Sequence, residues 1–200
     1  MAARLFVAGS YAGTSTRDIA DAVGMRQASL YYHFAGKPAI LGELLQMTIR
    51  PALDRVVDLD QIESPEAALY LLALHDAKSL AGLMHNIGML PRCPDVAQTP
   101  EAREYANARG ELREVYRSLA VSCASEVVTA TVGRSQLGGI VMELVESVIG
   151  TRAEKRVVTE RELQNVAAAC LRVCGASNEA IEAARTAADE LLPESVQAGR

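Results

Sequence analysis

The chain has 200 residues and a net charge of −5; half of its residues are hydrophobic, yet it has only six Tyr, two Phe and no Trp. Ala and Leu dominate the apolar part, a mix that favours helix over sheet. No run of 18 or more apolar residues occurs, so a membrane span is not expected. The N-terminus has no long apolar stretch with a cleavage site, so secretion is not expected either, and the cytosol is the default compartment.

The densest information lies in residues 14 to 37, TSTRDIADAVGMRQASLYYHFAGK. Ser15 can cap a helix, with Asp18 three residues on as its capping-box partner. Ile19, Ala20 and Val23 follow as a short apolar face, and Gly24 can take the left-handed conformation that ends a helix. A second helix is predicted from Arg26 or Gln27 to Phe34, turning Leu30 and Phe34 inward. Arg26, Gln27, Ser29, Tyr31, Tyr32 and His33 are left largely outside. Two short helices with a polar, aromatic second member can place side chains in a major groove, although the spacing alone also suits a core-forming hairpin. Ala3, Leu5 and Phe6 supply a third helix for the pair to pack on, and Lys37-Pro38 begins a fourth. Charge divides along the chain: residues 1–55 hold six Lys/Arg against four acids, residues 56–200 fourteen against twenty-one. A mildly basic head and an acidic body follow from that division.

This stretch resembles the DNA-binding domain of the TetR family of bacterial transcriptional repressors. The matching residues are Ala3, Leu5, Phe6 and Gly9, then Thr14-Ser15 and Ile19-Ala20, Gly24 at the turn, Leu30-Tyr31-Tyr32-His33-Phe34, and Lys37. The chain departs from the family pattern at Arg26, where a serine is usual, and at Ala28, where a small glycine is usual. It also begins inside what is normally the first helix, so the family's basic N-terminal extension is expected to be missing. The resemblance implies a head over residues 1–50 and a ligand-binding, dimerising body over 51–200. Arg26, Gln27 and Ser29 are then expected to read bases, and Tyr31, Tyr32, His33, Lys37, Ser15 and Arg17 to lie on the DNA side, mostly against phosphates.

In the body, Ile40, Leu41, Leu44, Leu45, Thr48 and Ile49 repeat at helical spacing up to Pro51, where a kink or break is expected. Ser64-Pro65-Glu66 and Thr99-Pro100-Glu101 each combine a cap, a proline at the first helical position and an acid in the first turn. They open helices predicted over 65–83 and 100–125. Residues 85–96, with Gly88, Pro91 and Pro94, suggest a short helix and loop. Three further helices are predicted over 134–150, 160–174 and 178–191, the second with Thr159 and Glu162 as a capping box, the third introduced by Ser177 and stopped by Pro193. The fold class is all-α.

The apolar surface of 134–150 and 160–174 is wider than one stripe, which suits either a buried core helix or a subunit interface. The TetR resemblance favours the interface, because the last two long helices of that family pair with their twofold mates. Leu137, Val141, Leu144, Val145, Val148, Leu163, Val166 and Cys170 are then its expected residues. Cys170 and Cys174, four apart, read as a buried reduced pair rather than a metal site.

No catalytic constellation, phosphate loop or metal motif is present, so neither an enzyme nor a cofactor is expected. His75 on the apolar helix suits a ligand contact or a satisfied core histidine; Met84, His85 and Met89 suit a cavity lining or simple core filling. With Tyr105 and Tyr116 they form the candidate ligand site, expected to take a small, largely apolar effector. The resulting expectation is a dimeric, ligand-responsive repressor on a palindromic operator. The alternative, a helical protein–protein adaptor, leaves the polar face at Gln27, Ser29 and Tyr31 unexplained.

Overall fold

The structure, a computed structural model, describes residues 1–59, 61–154 and 156–191. Among these the chain is helical throughout, without strands. The helices are α1 (Ala2–Gly9), α2 (Thr16–Ala22), α3 (Gln27–His33), α4 (Lys37–Leu59), α5 (Pro65–Gly82), α6 (Pro94–Ala97), α7 (Pro100–Cys123), α8 (Glu126–Thr131), α9 (Arg134–Ala153), α10 (Glu160–Val173) and α11 (Asn178–Leu191). A 3₁₀ segment, Met84–Arg92, lies between α5 and α6. The stop expected at Pro193 lies outside the described residues.

Helix starts follow their local chemistry. Ser15 and Thr159 each complete a reciprocal capping box, with Asp18 and Glu162. Ser64 and Thr99 accept from the backbone N–H of Ala67 and Ala102, each just before a proline that has no N–H to lose. Ser177 caps α11 through the Ala180 N–H. The short α8 has a similar cap, with Ser125 accepting from Val128 N–H, and was not predicted.

The expected break at Pro51 does not occur: α4 runs through it from Lys37 to Leu59. The proline removes one backbone bond, but Ile49 and Ala52 on either side both sit in the body's core. Tertiary packing holds the two halves in one helix.

Two apolar cores result. The smaller joins Ala3, Phe6, Tyr11, Ile19, Ala20 and Leu30 of the head to Ile40, Leu41 and Leu45 of α4, and also to Ile87, Leu90 and Val96. The larger surrounds α5, which is apolar on every side and touches α4, α7, α9, α10 and α11. A helix apolar all round belongs inside, and Leu69, Leu71, Leu72 and Leu74 are fully buried there.

The same holds for α9. Leu137, Val141, Val145 and Val148 are buried within the one subunit, as are Leu163 and Cys170 of α10. Of the residues expected on a dimer face, only Leu144 and Val166 remain partly open. The broad apolar surface is core, and what α9 presents outward is Gly139, Ile140, Glu143, Leu144 and Ser147. Cys170 and Cys174 are buried, and all four cysteines are free thiols. Burial pushes Cys170 up to about 12 and Cys174 up to about 11, so neither thiol is readily ionised.

The adjacent glycines of α9 have different work. A Cβ at Gly138 would lie 2.6 Å from Arg117 Cβ and 2.8 Å from the Arg113 carbonyl oxygen of α7. At Gly139 it would meet nothing within 4 Å. Gly138→Ala should therefore destabilise by about 1–3 kcal/mol through overpacking, while Gly139→Ala should be neutral or stabilising by up to about 1 kcal/mol from helix propensity. Urea denaturation of both variants checks this, and equal effects would refute the close approach.

Candidate DNA interface and effector chamber

The turn between α2 and α3 is closed by backbone. Met25 N–H donates to the Ala20 carbonyl at 2.9 Å and Gly24 N–H to the Asp21 carbonyl at 3.2 Å. Gly24 sits at φ +69°, the left-handed conformation this paired cap requires. Leu30 is buried against the head core, and Phe34 is half-buried. The rest of α3 faces outward, with Arg26, Gln27, Ser29, Tyr31, Tyr32 and His33 all exposed. Tyr32 reaches 88 % exposure, which a core-forming hairpin would not leave uncovered. Arg26 occupies the N-cap position of α3 without a side-chain cap bond, as its replacement of serine implies.

Several of the expected DNA-side groups already have partners. The Ser15 hydroxyl is engaged with Asp18, and Arg17 lies 3.8 Å from Asp21. Lys37 is turned toward the α1–α2 turn: its Nζ donates to the carbonyl of Tyr11 at 2.9 Å and lies 4.4 Å from the Tyr11 ring centre. The same turn is held from the other side, where Ala12 N–H donates to the Asp95 carboxylate at 2.7 Å.

Sequence reading missed Thr16. Its hydroxyl oxygen accepts from Gln27 Nε2 at 2.9 Å and lies 3.2 Å from the Tyr31 hydroxyl. One residue at the start of α2 thus orients two side chains on one face of α3. Gln27 keeps its second amide hydrogen and its oxygen, the two groups a bidentate pair with adenine uses.

The body holds a small chamber among α4, α5, the 3₁₀ segment, α7 and α9, lined by Thr48, Ile49, Asp76, Leu80, Gly88, Tyr105, Leu112, Met142, Glu146 and Ile149. Its free volume of about 10 Å³ is at the lower limit for one water. Across Glu146 it adjoins an open recess of about 610 Å³, whose walls include Arg92, Tyr105, Arg109, Arg113, Glu143 and Glu146. Arg109 donates to Glu146 at 2.8 Å and to Glu143 at 3.1 Å, while Arg92 reaches the other Glu146 oxygen at 3.3 Å. These bonds to Glu146 and Glu143 outweigh the burial that would lower the Arg109 guanidinium, and hold it above its ordinary value.

Behind this network the Tyr116 hydroxyl donates to the fully enclosed Asp76 carboxyl at 3.0 Å. Burial raises Asp76 to about 7, Tyr116 bonding and Arg109 pulling it down and Glu146 pushing it further up. Burial likewise raises Tyr105 and Tyr116.

The expected ligand residues divide. Tyr105 lines both spaces, and Tyr116 supports Asp76. His75 is half-buried beside Asp76 in sequence but lines neither space, nor does the half-buried Met89. Met84 and His85 lie exposed on the 3₁₀ segment. The polar groups that do converge, Thr48, Asp76, Arg109 and Glu146, were not foreseen. The available signal was an acid within the apolar stretch of each of two helices, Asp76 in α5 and Glu146 in α9.

Residues 1–44 match the family model described as bacterial regulatory proteins, tetR family. Over nearly its whole length the chain is similar to the crystal structure of Mycobacterium smegmatis AmtR, at 37% identity and a TM-score of 0.80, covering 95% of this chain and 90% of that one. The chain belongs to the tetR family. That family consists of DNA-binding transcriptional regulators, not enzymes. The chain shares its fold with a TetR family transcriptional regulator, PfmR from Thermus thermophilus, at 23% identity and a TM-score of 0.67, covering 86% of this chain and 91% of that one. Among curated proteins none matches. No helix of the described residues is long and apolar enough to cross a membrane.

Two expected outcomes follow from this geometry. Thr16→Val keeps the side chain's shape but removes its hydroxyl, so operator binding should weaken by about 1 kcal/mol, with discrimination lost chiefly at the base that Gln27 is expected to read. Competition binding with single-base operator variants measures it, and an unchanged preference would remove Thr16 as a positioning residue.

The second concerns Asp76. Its folded value of about 7 lies above the ordinary 3.8, so the native state holds this proton more tightly than the unfolded chain. The associated stability is complete below about pH 4, declines as pH rises, and is gone above about pH 7. Asp76→Asn still accepts from Tyr116 and should remove that decline, on the order of a few kcal/mol across the window. Parallel pH-dependent denaturation curves for wild type and variant would refute it.

Proposed function

We propose that the protein is a ligand-responsive repressor that binds a near-palindromic operator as a homodimer in the bacterial cytoplasm. The observation that carries this reading is the exposed face of α3, where Arg26, Gln27, Ser29, Tyr31, Tyr32 and His33 stand clear of the head core. Arg26, Gln27 and Ser29 read base edges, while Ser15, Arg17, Tyr31, His33 and Lys37 face phosphates and Tyr32 the groove entrance. Residues 1–50 form the DNA-binding head and 51–200 the body, in keeping with the change of core between Leu45 and Ile49 on α4. The dimer uses the outer residues of α9 and α10, among them Ile140, Leu144 and Val166, rather than their buried faces. An effector enters the recess between α7, α9 and the 3₁₀ segment and favours a state whose heads no longer match the operator spacing.

Selection of bound DNA from a random pool tests the reading. Enrichment of a symmetric site with half-sites about one turn apart (~34 Å) is expected. Gln27→Ala should lose roughly 1–3 kcal/mol of preference at one position in each half-site. Failure to enrich any sequence would overturn the DNA-binding assignment, and an asymmetric single site bound by monomer would overturn the dimer.

A further inference from the structure

Five of the twelve residues lining the recess are charged: Arg92, Arg109, Arg113, Glu143 and Glu146. The chamber behind it adds the Asp76 carboxyl, 3 % exposed, and the Thr48 hydroxyl, and shares Tyr105 with the recess. A neutral apolar molecule seated here would strip the remaining water from these paired groups and offer them no bond in return, which is unfavourable for every charge it covers. A purely anionic ligand would satisfy the arginines but would face Glu143, Glu146 and Asp76. A purely cationic one would face three arginines. The arrangement has acids and bases side by side, with the Glu146–Arg109 pair at the junction of the two spaces.

We propose that the effector is a small zwitterion of the α-amino acid class. Its ammonium group meets Glu146 and Asp76, and its carboxylate takes the place of Glu146 on Arg109 and Arg92. This inference rests on the effector-site reading above and replaces the apolar effector that the sequence suggested. The recess has the size of ordinary small-ligand sites. The chamber is nearly filled, so entry requires the Arg109–Glu146 bridge to open and α9 to shift. That shift has a route to the head. Ile149 of α9 receives the Asn86 amide on its carbonyl at 3.2 Å, and its side chain lies 3.0 Å from where a Cβ on Gly88 would stand. Ile87 and Leu90 of the same segment are seated in the head's core.

The test uses the full-length protein and the common α-amino acids as probes, followed for the best binder by its N-acetyl and carboxamide derivatives, with indole as the neutral apolar probe. Thermal shift and calorimetry report binding, and labelled operator DNA reports release. At least one free amino acid is expected to raise the Tm and weaken operator binding tenfold or more. Blocking either its ammonium or its carboxylate should cost at least tenfold in affinity. Glu146→Gln should abolish binding. Because that variant alters a half-enclosed network, Arg92→Gln at the more exposed rim, which leaves the Arg109–Glu146 bridge in place, serves beside it, and should weaken the amino acid while lowering the ligand-free Tm less than Glu146→Gln does. Indifference to both blocking groups, binding of indole alone, or no binding by any amino acid would overturn the proposal. Amino acid binding without operator release would leave the ligand class standing and overturn the effector reading. Failure of the ligand-free protein to bind DNA would overturn the regulatory reading while leaving the ligand result intact.

Discussion

Residues 84–92 belong to two cores at once, and the rest of the architecture is arranged around that sharing. Ile87 and Leu90 are buried in the core that the segment shares with α1 and α4, while Gly88 packs on Ile149 of α9 and helps to line the chamber. The segment is held in a conformation that side chains seldom adopt, with His85 at φ +57° and Asn86 at φ +50°. Such residues cost on the order of 1–3 kcal/mol each and persist only where their surroundings impose them. Here the imposing contacts are the Asn86 bond to the Ile149 carbonyl and the burial of Ile87 directly after it. A segment fixed by contacts at both ends transmits a displacement at either end, since a close-packed core has no slack to absorb it.

The chamber shows how polar groups are tolerated beside that segment. Asp76 sits on the most deeply buried helix of the fold, where burial favours the protonated carboxyl, while the hydrogen bond it accepts from Tyr116 favours the carboxylate. Glu146 is nearer the recess and remains paired with two arginines. The two acids, both at the edge of one small space, thus meet burial differently, Asp76 with a raised pKa and a tyrosine donor, Glu146 by ion pairing. Both solutions leave the chamber sensitive to any molecule that brings its own charge.

The head and the starts of several body helices were legible in the sequence because their determinants are local. The capping boxes at Ser15 and Thr159, the Ser-Pro and Thr-Pro starts and the Gly24 turn each lie within a few residues of what they specify. Elements set by distant contacts were not legible. The helix α8 is rich in β-branched Val and Thr, which lowers its propensity. It is anchored from afar, where Ser125 N–H donates to the Cys174 carbonyl at 2.9 Å. Pro51 failed to break α4 for the same reason. The apolar breadth of α9 was ambiguous between core and interface, and only the position of α5 and α7 decided it. The Asp76–Tyr116 and Arg109–Glu146 pairs join residues 40 and 37 apart, beyond the reach of any periodicity.

The head's own chemistry makes a single copy a weak ligand for DNA, and the proposed pairing of heads matters for that reason. Residues 1–55 hold only six cations against four acids. Arg17 lies beside Asp21, the Ser15 hydroxyl is in its cap, Lys37 bonds the α1–α2 turn, and Gln27 bonds Thr16. Contacts to DNA must therefore be exchanged for, or added to, existing bonds, and phosphate attraction to one head is weak in physiological salt. The proposed dimer answers that weakness by engaging two heads together, because the second then binds at the high effective concentration set by the first. That advantage is lost when the spacing of the heads is wrong. In the proposed dimer, a shift of the 3₁₀ segment against α1 would change that spacing without altering any residue proposed to touch a base.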